Sequence, residues 1–148
     1  SPGVQMAEID ALNDAIYNTL NNGVYRAGFA TTQLAYDEAF ADVFATLDML
    51  ESRLSDGRPY LHGSRFTEPD IRAFVTLARF DAAYYGLFKC NLRRIADYPA
   101  LSAYLARTYR TPGIAETVNI DHIKRGYYSI KALNPNGIVP LGPQLDWL

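Results

Sequence analysis

Two tyrosine-bearing tracts stand far apart in this sequence: Asn21-Asn22-Gly23-Val24-Tyr25 and Asn119-Ile120-Asp121-His122-Ile123-Lys124-Arg125-Gly126-Tyr127-Tyr128. A phenol donates or accepts a hydrogen bond at neutral pH without carrying charge, so Tyr25 and Tyr127 are suited to handling a proton, or developing charge, on another oxygen. By periodicity, Tyr127 shares a helical face with Ile120, Ile123 and Ile130, while Tyr128 falls with Asp121 and Arg125 on the wetter side. Taken alone, that pattern describes a core tyrosine with a satisfied hydroxyl.

Other reactive side chains are few. Cys90 is the sole cysteine, which excludes an internal disulfide or paired-thiol motif and fits a reducing compartment, with cytoplasm the expected location. Lys89 beside it could lower a thiol pKa, but a lone cysteine among aromatic and aliphatic neighbours reads as packing. His62 lies in a loop and His122 near a helix start, and neither has the second histidine or carboxylate array of a metal site, so cap or surface roles are expected and no metal. No Ser-His-Asp order can be defended, and no glycine-rich phosphate loop follows a strand.

The elements that must position the two tyrosines are helical. Ile9, Leu12, Ile16 and Leu20 mark a first helix, with Asn21-Asn22-Gly23 as its stop, which places Tyr25 in the turn beyond. A long helix runs from Thr32 to Leu54 with Tyr36, Phe40, Val43, Phe44, Leu47, Leu50 and Leu54 on one stripe. Thr67-Glu68-Pro69-Asp70 reads as a capping box: Thr67 accepts from the first turn and Asp70 reaches back, a device worth about 1 kcal/mol. It opens a central core helix with Ile71, Phe74, Val75, Ala78 and Ala82 inward. Pro99 starts a helix that buries Leu101, Tyr104, Leu105 and Thr108, and Asn119 caps the last one. Asn134-Pro135-Asn136-Gly137 and Leu141-Gly142-Pro143 forbid regular structure, so the tail is expected as an extended arm docked through Ile138, Val139 and Trp147. The fold expected is all-α, about six helices, with almost no strand signal.

At 148 residues, with 49% apolar and 20% charged residues, the sequence suits one compact unit spanning 1–148. A net charge of −2 gives no general attraction to nucleic acid or anionic lipid, and Lys89, Arg93 and Arg94 read as a solvated helix end. No apolar run approaches the ~20 residues of a membrane span, so neither membrane nor nucleic acid is an expected partner. Ser1-Pro2-Gly3-Val4 shows neither an initiator Met nor a secretory pattern and reads as a start inside a longer protein.

Added to the two tyrosine tracts, the segments Ala27-Gly28-Phe29-Ala30-Thr31-Thr32-Gln33, Arg79-Phe80-Asp81, Phe88-Lys89-Cys90-Asn91 and Pro112-Gly113-Ile114-Ala115-Glu116-Thr117-Val118-Asn119 form a pattern that resembles the C-terminal helical domain of the glutathionyl-hydroquinone reductases, the xi class of glutathione transferases. The capping box fits that resemblance. It implies that a thioredoxin-like N-terminal domain carrying the attacking cysteine is absent from this chain, that glutathione is a co-substrate bound mainly by that domain, and that the protein dimerises through its C-terminal domains. It further implies that Tyr25 and Tyr127 form the two halves of a phenol-binding pocket and present their hydroxyls to the phenolic oxygen of a quinone-derived glutathione conjugate. Gly126 departs from the family pattern, where a bulkier residue, commonly His, precedes the tyrosine; a mid-helix glycine costs about 1 kcal/mol and could loosen the helix that aims Tyr127.

Two other readings belong to different classes. One is a non-catalytic helical interaction module, whose cue would be a divergent pocket, although both tyrosines are present. The other is the C-terminal domain of a conventional conjugating glutathione transferase.

Overall fold

Six α-helices, joined by short π and 3-10 turns and followed by an irregular tail, make up the computed structural model, which describes residues 1–148. No strand forms; the only β pairing is two isolated bridges in the Tyr60 to Arg65 loop. The order is α1 (Pro2–Ile16), α2 (Asn22–Gly28), α3 (Gln33–Leu54), α4 (Glu68–Arg79), α5 (Pro99–Tyr109) and α6 (Ile120–Tyr128).

The all-α architecture expected from periodicity is present, but the first boundary differs. Asn21-Asn22-Gly23 does not stop the chain: α1 widens into a π turn at Tyr17–Asn21 and resumes as α2, so Tyr25 sits inside a helix rather than in a turn. The reason lies in tertiary contacts. Asn21 spends its amide on α4, donating to the Arg72 carbonyl at 2.9 Å and to Thr76 Oγ1 at 2.5 Å, instead of capping its own chain. Gly23 is buried where a Cβ would lie 3.0 Å from Val43, so this glycine serves the close approach of α2 to α3.

Thr32 caps α3 by accepting from the Ala35 N–H at 3.1 Å, and Val43, Phe44, Leu47, Leu50 and Leu54 are buried as their spacing predicts. Glu51 of α3 then accepts from the Ala100 and Leu101 N–H groups at 3.0 and 2.8 Å, so its carboxylate holds the start of α5 against α3. At the start of α4, Asp70 reaches back to the Thr67 N–H at 2.8 Å as expected. It does more: its other oxygen, fully buried, accepts from the Leu61 N–H at 3.0 Å and the Tyr104 hydroxyl at 2.7 Å, which ties loop, α4 and α5 together.

The buried face of the central helix is only partly the one expected. Phe74, Ala78 and Ala82 are inward, but Ile71 is 48% and Val75 41% exposed, and Ala73 and Leu77 occupy the core in their place. The core lies on the Ala73–Leu77 side because α4 packs against α1 and α5, while the Ile71–Val75 side is open in this chain. In the tail, Trp147 docks edge-to-face on Tyr109 at 5.2 Å, whereas Ile138 (67% exposed) and Val139 do not dock. Polar contacts hold that stretch in their place: Asn134 donates to the Tyr128 and Ile138 carbonyls, and Lys124 to the Leu141 carbonyl at 3.1 Å. No helix is long and apolar enough to cross a membrane.

Candidate functional site

α4 also ends in a π turn, Phe80–Tyr84, the second bulged segment of the molecule. π turns are frequent at functional sites because the extra residue re-aims the side chains that follow it. Here one bulge precedes Tyr25 and the other delivers Tyr84. α6 closes over them, its start fixed by Asn119 Oδ1 accepting from the His122 N–H at 3.1 Å.

Tyr25 and Tyr127, 102 residues apart in sequence, meet with their hydroxyl oxygens 2.5 Å apart. A third phenol, which the sequence reading did not single out, completes the set: the Tyr84 hydroxyl lies 2.6 Å from that of Tyr127. Tyr84 falls seven residues after Leu77 and four before Phe88, both buried, so its only sequence signal was a core stripe. Phe88 is the floor of the cluster, stacked on Tyr84 at 5.1 Å and edge-to-face with Tyr25 and Tyr127 at 5.4 and 5.7 Å. Gly28 makes room for it, since a Cβ there would sit 2.4 Å from the Phe88 ring.

Burial sets the direction of this hydroxyl chain. Tyr84 is 2% exposed; its close hydrogen bond is to Tyr127, with the Tyr25 hydroxyl a more distant neighbour. Were Tyr127 to donate to Tyr84, the Tyr84 proton would be buried without a close acceptor, at a cost of about 1–3 kcal/mol. Tyr84 therefore donates to Tyr127, Tyr127 donates to Tyr25, and the free proton sits on Tyr25, which is 42% exposed. Burial, then the bond to Tyr25, pushes the Tyr127 pKa up to about 12, and burial followed by the Tyr127 contact pushes Tyr84 higher still. At neutral pH the inner two are neutral phenols. A preorganised O–H at the rim can donate to a ligand oxygen as charge develops there.

The remaining candidates separate cleanly. Cys90 is fully buried, and burial pushes its pKa up to about 12, opposite to the effect weighed for Lys89, so it is a packing thiol rather than a nucleophile. His62 caps nothing: both ring nitrogens are buried without partners, and burial lowers its pKa. His122 is exposed. No three His, Cys, Asp or Glu side chains come together as a metal site would require. Arg93 and Arg94 pair with Asp48 and Asp97 at 3.7 and 2.8 Å. Tyr128 is not on an open face but half-buried, its hydroxyl fitted against Gly86, where a Cβ would lie 3.1 Å away. Gly126 is exposed with nothing within 4 Å, so it crowds nothing, and Tyr127 is held by its hydroxyl partners regardless.

Above the cluster opens a cavity of about 280 Å³, lined by Tyr25, Tyr84 and Tyr127 together with Tyr17, Asn21 and the outer face of α4. The family model for the C-terminal domain of glutathione S-transferases matches residues 33–107 of this helical bundle. The chain belongs to this family. It is 58% identical over 137 residues to the glutathionyl-hydroquinone reductase PcpF of Sphingobium chlorophenolicum, covering 92% of this chain and 44% of that protein. To the glutathionyl-hydroquinone reductase YqjG of Escherichia coli it is 53% identical over 146 residues, covering 98% of this chain and 44% of the relative. The glutathione-bound structure of YqjG superposes with a TM-score of 0.92 over 99% of this chain and 48% of that one. A xi class glutathione transferase from Natrialba magadii superposes with a TM-score of 0.93 at 47% identity, over 97% of this chain and 44% of its own. The chain thus spans a little under half the length of the relatives it matches.

Proposed function

We propose that this chain is the substrate-binding helical half of a glutathione-dependent reductase that removes glutathione from glutathionyl-hydroquinones, giving hydroquinone and glutathione disulfide. The observation that carries the reading is the meeting of Tyr25 and Tyr127 at the mouth of the cavity, in a chain more than half identical to two glutathionyl-hydroquinone reductases. Tyr25 donates to a phenolic oxygen of the conjugate, Tyr127 relays to Tyr25, and Tyr84 anchors Tyr127. None of them is the nucleophile. A cysteine in a thioredoxin-like half attacks the glutathione sulfur of the conjugate; the carbon–sulfur bond breaks, the ring carbon takes a proton, and a second glutathione resolves the mixed disulfide. That half, which would also bind most of the glutathione, fits the uncovered Ile71–Val75 face beside the cavity. On this reading the chain alone has no turnover, and the whole protein is a homodimer.

Tyr25→Phe in the full-length protein tests the reading. Losing one hydrogen bond to a polarised oxygen, worth about 1.5–3 kcal/mol, should lower kcat by roughly 10- to 100-fold. Tyr127, half-buried and lining the cavity, can donate to water there once the Tyr25 hydroxyl is gone, so the melting temperature should fall by no more than a few °C. Unchanged turnover removes Tyr25 from the mechanism.

A further inference from the structure

The cavity over the tyrosines has a second wall that the reaction above does not use. α4 turns Arg72, Val75, Thr76 and Arg79 toward it at the i, i+3, i+4, i+7 spacing of one helical stripe. Two guanidinium groups therefore face one small space, and no carboxylate lines it. Within this chain Arg79 makes no ion pair; its side chain donates to the Val75 carbonyl of its own helix at 2.9 Å. Arg72 lies over the Tyr17 ring at 4.8 Å and reaches the exposed Glu68 at 3.4 Å, which leaves its Nε buried without a partner. A neutral hydroquinone offers these cations only neutral hydroxyl oxygens and a ring face. A planar carboxylate offers more, because a guanidinium fork matches its two charged oxygens.

We propose that this wall is an anion-recognition edge, and that the site takes glutathionyl-hydroquinones carrying a carboxylate on the aromatic ring, with Arg79 as principal contact and Arg72 as the second. The substrate identity rests on the reductase reading given above. Because the phenols and both arginines line a single cavity of about 280 Å³, the anion must lie close to the ring that the tyrosines hold, which favours a ring substituent over the distant carboxylates of the glutathione peptide. The edge selects among conjugates and takes no part in breaking the carbon–sulfur bond.

The test uses the full-length protein. Calorimetry compares hydroquinone, 2,5-dihydroxybenzoate and S-methylglutathione as ligands, and kcat/KM is measured for the glutathionyl conjugates of the two phenols. A half-exposed guanidinium–carboxylate contact predicts binding of 2,5-dihydroxybenzoate about tenfold tighter than hydroquinone, at the modest end of charge-assisted bonds. The preference should shrink with added salt, vanish in Arg79→Gln and survive in part in Arg79→Lys. Equal affinities in the parent protein, or a preference that outlasts both Arg79→Gln and Arg72→Gln, overturns the proposal. Loss of S-methylglutathione binding in Arg79→Gln assigns the edge to the peptide carboxylates and overturns the ring assignment. Turnover of both conjugates without preference sinks the edge and leaves the reductase reading standing; Arg79-dependent binding of 2,5-dihydroxybenzoate without turnover of either conjugate does the reverse.

Discussion

Removing the middle hydroxyl of the tyrosine chain should cost more than removing the middle and the inner hydroxyls together. In Tyr127→Phe the ring keeps its edge contacts with Tyr84 at 5.2 Å and Phe88 at 5.7 Å, so packing is unchanged and only oxygen is lost. Tyr25 turns to water, but the Tyr84 hydroxyl is left buried without its close partner. That orphan costs about 2 kcal/mol. Tyr84→Phe is milder, about 1 kcal/mol, because Tyr127 keeps Tyr25. The double variant replaces both buried ends by apolar groups of the same shape and should lose no more than about 1 kcal/mol, against about 3 if the single effects added. Urea unfolding of the three variants gives the numbers from midpoints at constant slope. If the double variant loses the sum of the singles to within about 0.5 kcal/mol, Tyr84 is not the buried donor end and the polarity deduced for the chain is wrong.

The two glycines of the site region should respond in opposite senses. Gly28→Ala drives a methyl into Phe88, which is fully buried under the tyrosines and cannot withdraw, so a loss of about 1–3 kcal/mol is expected, with reduced turnover in the full-length protein. Gly126→Ala meets open space on a helix and should gain about 0.5 kcal/mol, seen as a melting temperature higher by roughly 1–2 °C. Cys90 should make alkaline stability steeper. Its thiol ionises near 9 when unfolded but only at about 12 when folded, so unfolding releases a proton within that window; its contribution is full below about pH 9 and is lost as the pH rises toward 12. Relative to Cys90→Ala, the parent should lose stability faster across that range, and parallel pH profiles would contradict the burial argument.

Much of the helical framework was legible because it rests on local rules. Thr32, Thr67 with Asp70, Pro99 and Asn119 mark helix starts by chemistry that acts within one turn, and the α3 and α5 stripes face the core as their spacing selects, with only Tyr36 and Phe40 of α3 partly buried. The departures arise where a neighbouring element decides. Asn21-Asn22-Gly23 carries every local mark of a stop, yet Asn21 is claimed by α4 and Gly23 by Val43. Tyr128 reads as outward from its own helix, and only the gap left by Gly86 on another segment draws it in. Ile71 and Val75 look like core because a sequence reports which residues are apolar, not which face finds a partner within the chain.

The sequence by itself determined that this protein is a bundle of helices, since periodicity and caps are properties of a few neighbouring residues, and it was the resemblance to the glutathionyl-hydroquinone reductases that singled out Tyr25 and Tyr127. Only the tertiary structure decided that those two phenols touch, that Tyr84 stands behind them as a buried donor, and that Arg72 and Arg79 face the same cavity. For the tyrosines at 25 and 84, the π turns Tyr17–Asn21 and Phe80–Tyr84 are the physical reason: each inserts a residue that breaks the 3.6-residue count and swings the side chains that follow, and nothing in a linear pattern records that rotation; for the arginines it is the packing that leaves their stripe of α4 facing the same space.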